Sequence, residues 1–149
     1  MGRRFRPYQH IKYLKLDLGC GNRKKEGFIG IDTVDHGQEL IWDITNGIPF
    51  PDNSIEEIYS SHLLEHLNED QIVDLFREIY RVLKPKGIFE SRLPHISSPT
   101  AFYIGHKSFW NEARIEIFLR DKEGYLGNFA ILQNEKIGEE LFFKLVAIK

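Results

Sequence analysis

The 149 residues are 42% hydrophobic, 13% aromatic and 28% charged, a balance that excludes a disordered or fibrous chain and suits one globular domain. Lys and Arg number 20 against 22 Asp and Glu, so the net charge of -2 supplies no whole-chain field for nucleic acid. No apolar run approaches the roughly 18–20 residues that span a bilayer, and the single Cys20 excludes an internal disulfide or a cysteine-built zinc site.

The expectation from these properties is a single cytoplasmic domain over residues 1–149, without a membrane partner. Residues 1–12 form its basic N-terminal arm, with Arg3, Arg4, Arg6 and Lys12 interleaved with Phe5 and Tyr8. The arm lacks the apolar stretch of a secretory signal. A basic and aromatic mix can follow a nucleic-acid backbone, whereas the plainer reading lays the arm over the domain.

Tyr13–Leu18 alternates apolar and polar residues and runs into Gly19-Cys20-Gly21-Asn22, which predicts a strand entering a glycine-rich turn. Phe28–Ile31 is a second short strand ending at Asp32, Leu40–Trp42 a third ending at Asp43, and Ile55–Tyr59 a fourth ending in Ser60-Ser61. Asn68 and Gln71 have the spacing of a capping box. Ile72, Leu75, Phe76, Ile79, Tyr80 and Leu83 then recur at helical period, until Lys84-Pro85-Lys86-Gly87 stops the helix. A fifth strand is expected at Ile88–Leu93, a short helix near Ser108–Asn111, and two last strands at Arg114–Leu119 and Leu141–Ile148. The order predicts an α/β fold with a mainly parallel sheet and a C-terminal antiparallel hairpin.

Asp17, Asp32 and Asp43 stand at the C-terminal ends of three successive strands, the ends that line the ligand crevice of a parallel sheet. Glycines at 19 and 21 let backbone approach a ligand without an intervening Cβ. A carboxylate ending the second strand is placed to accept hydrogen bonds from two ribose hydroxyls.

These blocks resemble the class I S-adenosylmethionine-dependent methyltransferases, of the small methyltransferase type 11-like family. The likeness rests on Leu16-Asp17-Leu18-Gly19-Cys20-Gly21, the stretch Ile48-Pro49-Phe50-Pro51-Asp52-Asn53-Ser54, Leu64-Glu65-His66, and Arg81-Val82-Leu83-Lys84-Pro85-Lys86-Gly87. It implies a Rossmann-like sheet, S-adenosylmethionine as cofactor, and methyl transfer to a small polar acceptor. It further implies that Asp17, Gly19, Cys20 and Gly21 lie under the methionine part of the cofactor, with Asp17 near its amino group. Asp32 would take the ribose hydroxyls, Thr33 would flank the adenine, Asp43 and Ile44 would border its edge, and Ser61 would face cofactor and acceptor. Two other functions stay open at this point. One is a non-catalytic module that binds S-adenosylmethionine or S-adenosylhomocysteine; the other is an RNA methyltransferase that uses the arm.

A parallel crossover ordinarily takes about a dozen residues. The segments after Gly21 and after Asp32 are too short for full helices, so helices after strands 1 and 2 should be missing or vestigial. Phe28, Ile29, Ile41 or Trp42 should then be bare, covered by the arm or by a second copy in a homodimer. Catalytic candidates are His62, His66, His95 and His106, because imidazole titrates near neutral pH. The pattern His62-x-x-Glu65-His66 also matches a zinc-peptidase motif, but it directly follows a strand and lacks a downstream ligand helix. With no metal as the plain reading, a metal held by His62, Glu65 and His66, extended by His95 or His106, is the alternative. It needs 62 and 66 on one helical face.

Overall fold

The computed structural model describes residues 13–122 and 124–149, so the N-terminal arm of residues 1–12 lies outside the described residues. Among the described residues seven strands form one sheet: β1 Leu14–Leu18, β2 Ile29–Asp32, β3 Leu40–Ile41, β4 Ile55–Ser61, β5 Leu83–Pro94, β6 Phe129–Ile137 and β7 Glu140–Ala147. Their spatial order is β3-β2-β1-β4-β5-β7-β6. The pairs from β3 to β5 are parallel, and β7 runs antiparallel to both β5 and β6. This is the Rossmann-like arrangement expected from the sequence, with its direction change between β1 and β4. Among the described residues no helix is long and apolar enough to cross a membrane.

Segments 19–28 and 33–39 contain turns and bends but no helix, as the spacing predicts. Register explains how such short crossovers suffice. Leu16 is level with Ile29 and Leu18 with Ile31, so the chain descends by only two residues' rise, about 7 Å, before it re-enters the sheet. Ile31 is level with Leu40, and the second descent is shorter still.

Side chains do the work of the missing helices. Phe28 is buried under Lys15 and Lys25, whose ammonium groups lie 5.6 and 5.1 Å from its ring centre, and it meets Tyr59 edge-on. Ile29 is buried as well. The expected bare face is thus corrected for Phe28 and Ile29. Trp42 is half-buried, with Nε1 donating to Gly47 O at 2.7 Å, and Ile41 alone of the four stays exposed, at 56%. Gln38 knits the second crossover by donating to the carbonyls of Val34 and Leu40, while its Oε1 accepts the His36 amide.

Helix α1, Glu69–Val82, begins at the expected capping box: Asn68 accepts the Gln71 amide and Gln71 accepts the Asn68 amide. It buries Ile72, Leu75, Phe76, Ile79 and Val82 against the sheet, each worth about 1.5–3 kcal/mol. The helix stops at Val82, because Pro85 disfavours helical backbone at Lys84. β5 starts at once, at Leu83 rather than Ile88. Leu83 pairs with Ile55 and Ile88 with Glu57, so residues 84–87 bulge out of the strand.

Two further expectations are corrected. Residues 114–119 are helical, within α2, Glu112–Asp121, and Ser108–Asn111 is not helical, with Trp110 bridging His95. Asn111 caps α2 by accepting the Arg114 amide at 2.8 Å, and Ile115 and Phe118, three apart, face the core. The alternation of Ile115, Ile117 and Leu119 suited a strand equally well, and the cap decides for helix. The first strand of the C-terminal hairpin is instead β6, an edge strand whose mostly exposed side chains and register slip near Gln133 hide its periodicity.

Arg81, near the end of α1, clamps the chain that leads into β4. Its guanidinium donates to Ile48 O and Phe50 O at 2.9 Å each and to the carboxylates of Glu78 and Asp52. Glu78 Oε1 in turn accepts the Ile48 amide at 2.8 Å. Replacing Arg81 with Ala leaves two carbonyls and two carboxylates without these donors. The expected loss is about 2–3 kcal/mol in urea denaturation, with Arg81→Lys recovering part of it.

Candidate functional site

Two adjoining clefts open where β1, β2 and β4 end. The smaller, about 180 Å³, is lined by Gly19, Ile31, Asp32, Thr33, Trp42, Ile44, His62 and Leu63. The larger, about 520 Å³, runs from Asp17 and the loop Gly19–Arg23 across Tyr59, Ser61 and His62 to Arg92 and Glu140. Gly19 and His62 border both, and the larger is of the size that takes a drug-sized ligand. The pair sits at the point where strand order reverses, the position that open α/β sheets use for ligands.

The loop after β1 is built by its own polar groups. Gly19 and Gly21 have φ of 65° and 55°, left-handed conformations that favour glycine. A Cβ on Gly19 would come within 3.0 Å of Leu63 Cδ1, whereas a Cβ on Gly21 would meet nothing within 4 Å. Asp17 Oδ2 accepts the Lys25 amide at 2.8 Å, and Asp32 Oδ2 accepts the Gly21 amide at 2.9 Å. Burial pushes the Asp17 carboxyl above the ordinary carboxylate range, against the opposing pull of the Lys25 amide. Asp32 Oδ1 accepts the Val34 amide at 3.0 Å. Each Asp32 oxygen keeps a further lone pair for another donor.

Of the nine cofactor-site residues expected from the sequence, Asp17, Gly19, Cys20, Gly21, Asp32, Thr33, Ile44 and Ser61 line one or both clefts. Asp43 does not appear among the lining residues. It is exposed and caps the short turn Ile44–Asn46, with Oδ1 accepting the amide and hydroxyl of Thr45 at 2.9 and 2.6 Å. These bonds hold its carboxyl below the ordinary range. Asp43 is therefore a strand-end cap in this structure.

The four candidate histidines separate. His62 lines both clefts, in a left-handed backbone conformation with φ of 55° that is uncommon for a residue with a Cβ. Its Nδ1 lies 3.4 Å from Glu65 Oε1 and its Nε2 3.7 Å from Glu140 Oε2. The Glu65 carboxylate raises its pKa above the ordinary imidazole value, with burial opposing. His66 and His106 stack edge-on, their ring centres 4.8 Å apart, and neither lines a cleft. His95 is engaged by Glu112 Oε1 at 2.6 Å and Ser97 Oγ at 2.8 Å.

The helical face that residues 62 and 66 would need does not form, because Leu64–His66 is a tight 3-10 turn and His62 is left-handed. Residues 94–110 form a mostly exposed or half-buried connection anchored by a few buried residues. Ser108 Oγ donates to Leu64 O at 2.9 Å, Trp110 Nε1 donates to Ser108 Oγ at 2.8 Å, and both residues are buried. Sequence reasoning missed Arg92 and Glu140, which form the far wall. Their strands are adjacent only because β7 inserts beside β5, and neither residue carries a local signal.

A methyltransferase-domain family model matches residues 31–90, beginning after the shortened loop. No curated protein matches the sequence. A SAM-dependent methyltransferase from Archaeoglobus fulgidus superposes with a TM-score of 0.64 at 19% identity, over 99% of this chain and 90% of that one. A chain of the complex between the Haloferax volcanii Trm112 methyltransferase activator and its methyltransferase gives 0.70 at 17% identity, covering 93% and 84%. The Burkholderia thailandensis 1,6-didemethyltoxoflavin-N1-methyltransferase, with 1,6-didemethyltoxoflavin and S-adenosylhomocysteine bound, gives 0.70 at 14%, covering 91% and 71%. Together with the family model, these likenesses agree with the resemblance read from the sequence: the fold is that of the class I S-adenosylmethionine-dependent methyltransferases.

Cys20 tests the burial of the loop directly. Burial, with Asp17 and Asp32 nearby, pushes its thiol up to about 11. Two units above the ordinary thiol value leaves about a hundredfold less thiolate at pH 8. Native protein should therefore react with Ellman's reagent about a hundredfold more slowly than protein unfolded in urea.

Proposed function

We propose that the chain binds S-adenosylmethionine across the two clefts and transfers its methyl group to a small polar acceptor held on the His62, Arg92 and Glu140 side. The observation that carries this reading is Gly19, which borders both clefts between Asp32 on one side and Ser61 and Arg92 on the other. The residues present suit the cofactor. Asp32 keeps free lone pairs for ribose hydroxyls, Ile31, Trp42 and Ile44 offer apolar surface for the adenine, and Gly21 leaves open space where a side chain would stand.

Bound there, the cofactor supplies an electrophilic methyl on a sulfonium. What the chain contributes is position: the carboxylate-tied loop is formed in advance, so little ordering remains to be done on binding. Arg92 and Glu140, 3.4 Å apart, present a paired cation and anion to the acceptor side. His62, between the clefts, offers Nε2 to a polar acceptor group.

Calorimetry should show S-adenosylmethionine binding that weakens at least about tenfold in Asp32→Ala, the loss of one charge-assisted hydrogen bond. Unchanged affinity in that variant refutes the assignment. Incubation with methyl-labelled cofactor and pools of small polar metabolites should then yield a labelled product. Binding without transfer to any pool favours the non-catalytic module. Transfer to RNA that falls steeply with salt and with deletion of residues 1–12 favours the RNA enzyme.

A further inference from the structure

We propose that Glu65, His66 and His106 form a binding site for a divalent transition metal. Glu65 is 2% exposed, yet neither of its carboxylate oxygens makes a hydrogen bond among the described residues: Oε1 has the His62 imidazole at 3.4 Å, and Oε2 has no such neighbour. A buried carboxylate in that state is costly unless a cation completes it. The ligand atoms of Glu65, His66 and His106 all lie within 4.8 Å of one another, and Glu65 Oε1 is 3.9 Å from His66 Nε2.

The third ligand is held ready. His106 Nδ1 lies 3.1 Å from Ala101 O, a bond that places the proton on Nδ1 and leaves the Nε2 lone pair for a metal. The backbone fixes the two halves against each other, since Glu65 O accepts the amides of Lys107 and Ser108 at 2.6 and 3.2 Å. Atoms bound to one ion at about 2.1 Å lie about 3–3.5 Å apart, so binding draws these ligands inward by about an ångström. The half-exposed His66 ring has the freedom to make that movement and leaves the ion a path from solvent.

Two imidazoles and one carboxylate favour zinc, iron or manganese over magnesium, and three protein ligands leave positions open for water or another oxygen or nitrogen donor. The site differs from the set His62, Glu65 and His66 considered from the sequence: His62 lines the clefts while its Nδ1 stays 3.4 Å from Glu65 Oε1, and His106 is the histidine that gathers with Glu65 and His66. It stands independently of methyl transfer.

The test uses the full chain without a histidine tag, stripped with a chelator and titrated with Zn²⁺, Co²⁺ and Mg²⁺. One equivalent of Zn²⁺ should bind, Co²⁺ should develop visible d–d absorption, and Zn²⁺ should raise the Tm. His66→Ala and His106→Ala should each weaken Zn²⁺ at least thirtyfold, while the exposed control His36→Ala should leave it unchanged. Glu65→Gln should do the same as the histidine variants where circular dichroism shows it folded, and the two histidine variants carry the test where it does not. No Zn²⁺ binding by the parent, affinity unaltered in both histidine variants, or tighter binding of Mg²⁺ than of Zn²⁺ overturns the proposal.

Discussion

Asp17 accepts the amide of Lys25 and Asp32 accepts the amide of Gly21, so both ends of the loop after β1 are tied to carboxylates at strand ends. A helix following β1 would satisfy its own backbone; a short loop has to borrow its acceptors. Both clefts take a wall from this loop. Their shape therefore depends on two side chains that the sheet itself positions, one buried in β1 and one at the tip of β2. Burial, with the same two carboxylates nearby, holds the Cys20 thiol protonated, which keeps this sulfur inert in the middle of a polar site.

The economy of the fold has a geometric basis. Two crossovers of seven to ten residues serve where a helix normally intervenes, because β2 and β3 are short and enter the sheet near the level at which the preceding strand ends. Long side chains cover what helices would have covered. The stems of Lys15 and Lys25 lie over Phe28, and Lys24 bridges Phe28 O and Glu39 at 2.9 and 2.8 Å. Glu39 also accepts the Gly30 amide, which the two-residue β3 does not reach. On the other flank full helices remain, and Arg81 and Glu78 of α1 secure the segment entering β4. Among the described residues, helices cover the sheet beyond β4 and side chains cover it around β2 and β3.

Legibility followed locality. The capping box at Asn68 and Gln71, the proline after α1 and the glycines at 19 and 21 act within a few residues of themselves, and each was readable as such. Residues 114–119 carried two compatible periods, and Asn111 with the contacts of Ile115 and Phe118 chose between them. The strand β6 had no readable period, because an edge strand needs little burial and takes its identity from hydrogen bonds to β7. Asp43 looked like its neighbours at strand ends, but a hydroxyl two residues on captured its carboxylate.

By itself the sequence determined the strand–turn–strand order, the glycine and aspartate placement at strand ends, and the shortness of the first two connections, because these depend on period, spacing and backbone chemistry. Only the tertiary structure decided which histidine meets which partner. His62 lines the clefts with its backbone left-handed after β4, and His106 reaches Glu65 and His66 across forty residues because Ser108 bonds to Leu64 O and the amides of Lys107 and Ser108 bond to Glu65 O. It decided likewise that Arg92 and Glu140 wall the larger cleft, since β7 pairs antiparallel with β5 and sets Glu140 opposite Pro94, two residues from Arg92. Those meetings are set by packing between distant segments, and no window of sequence contains both members.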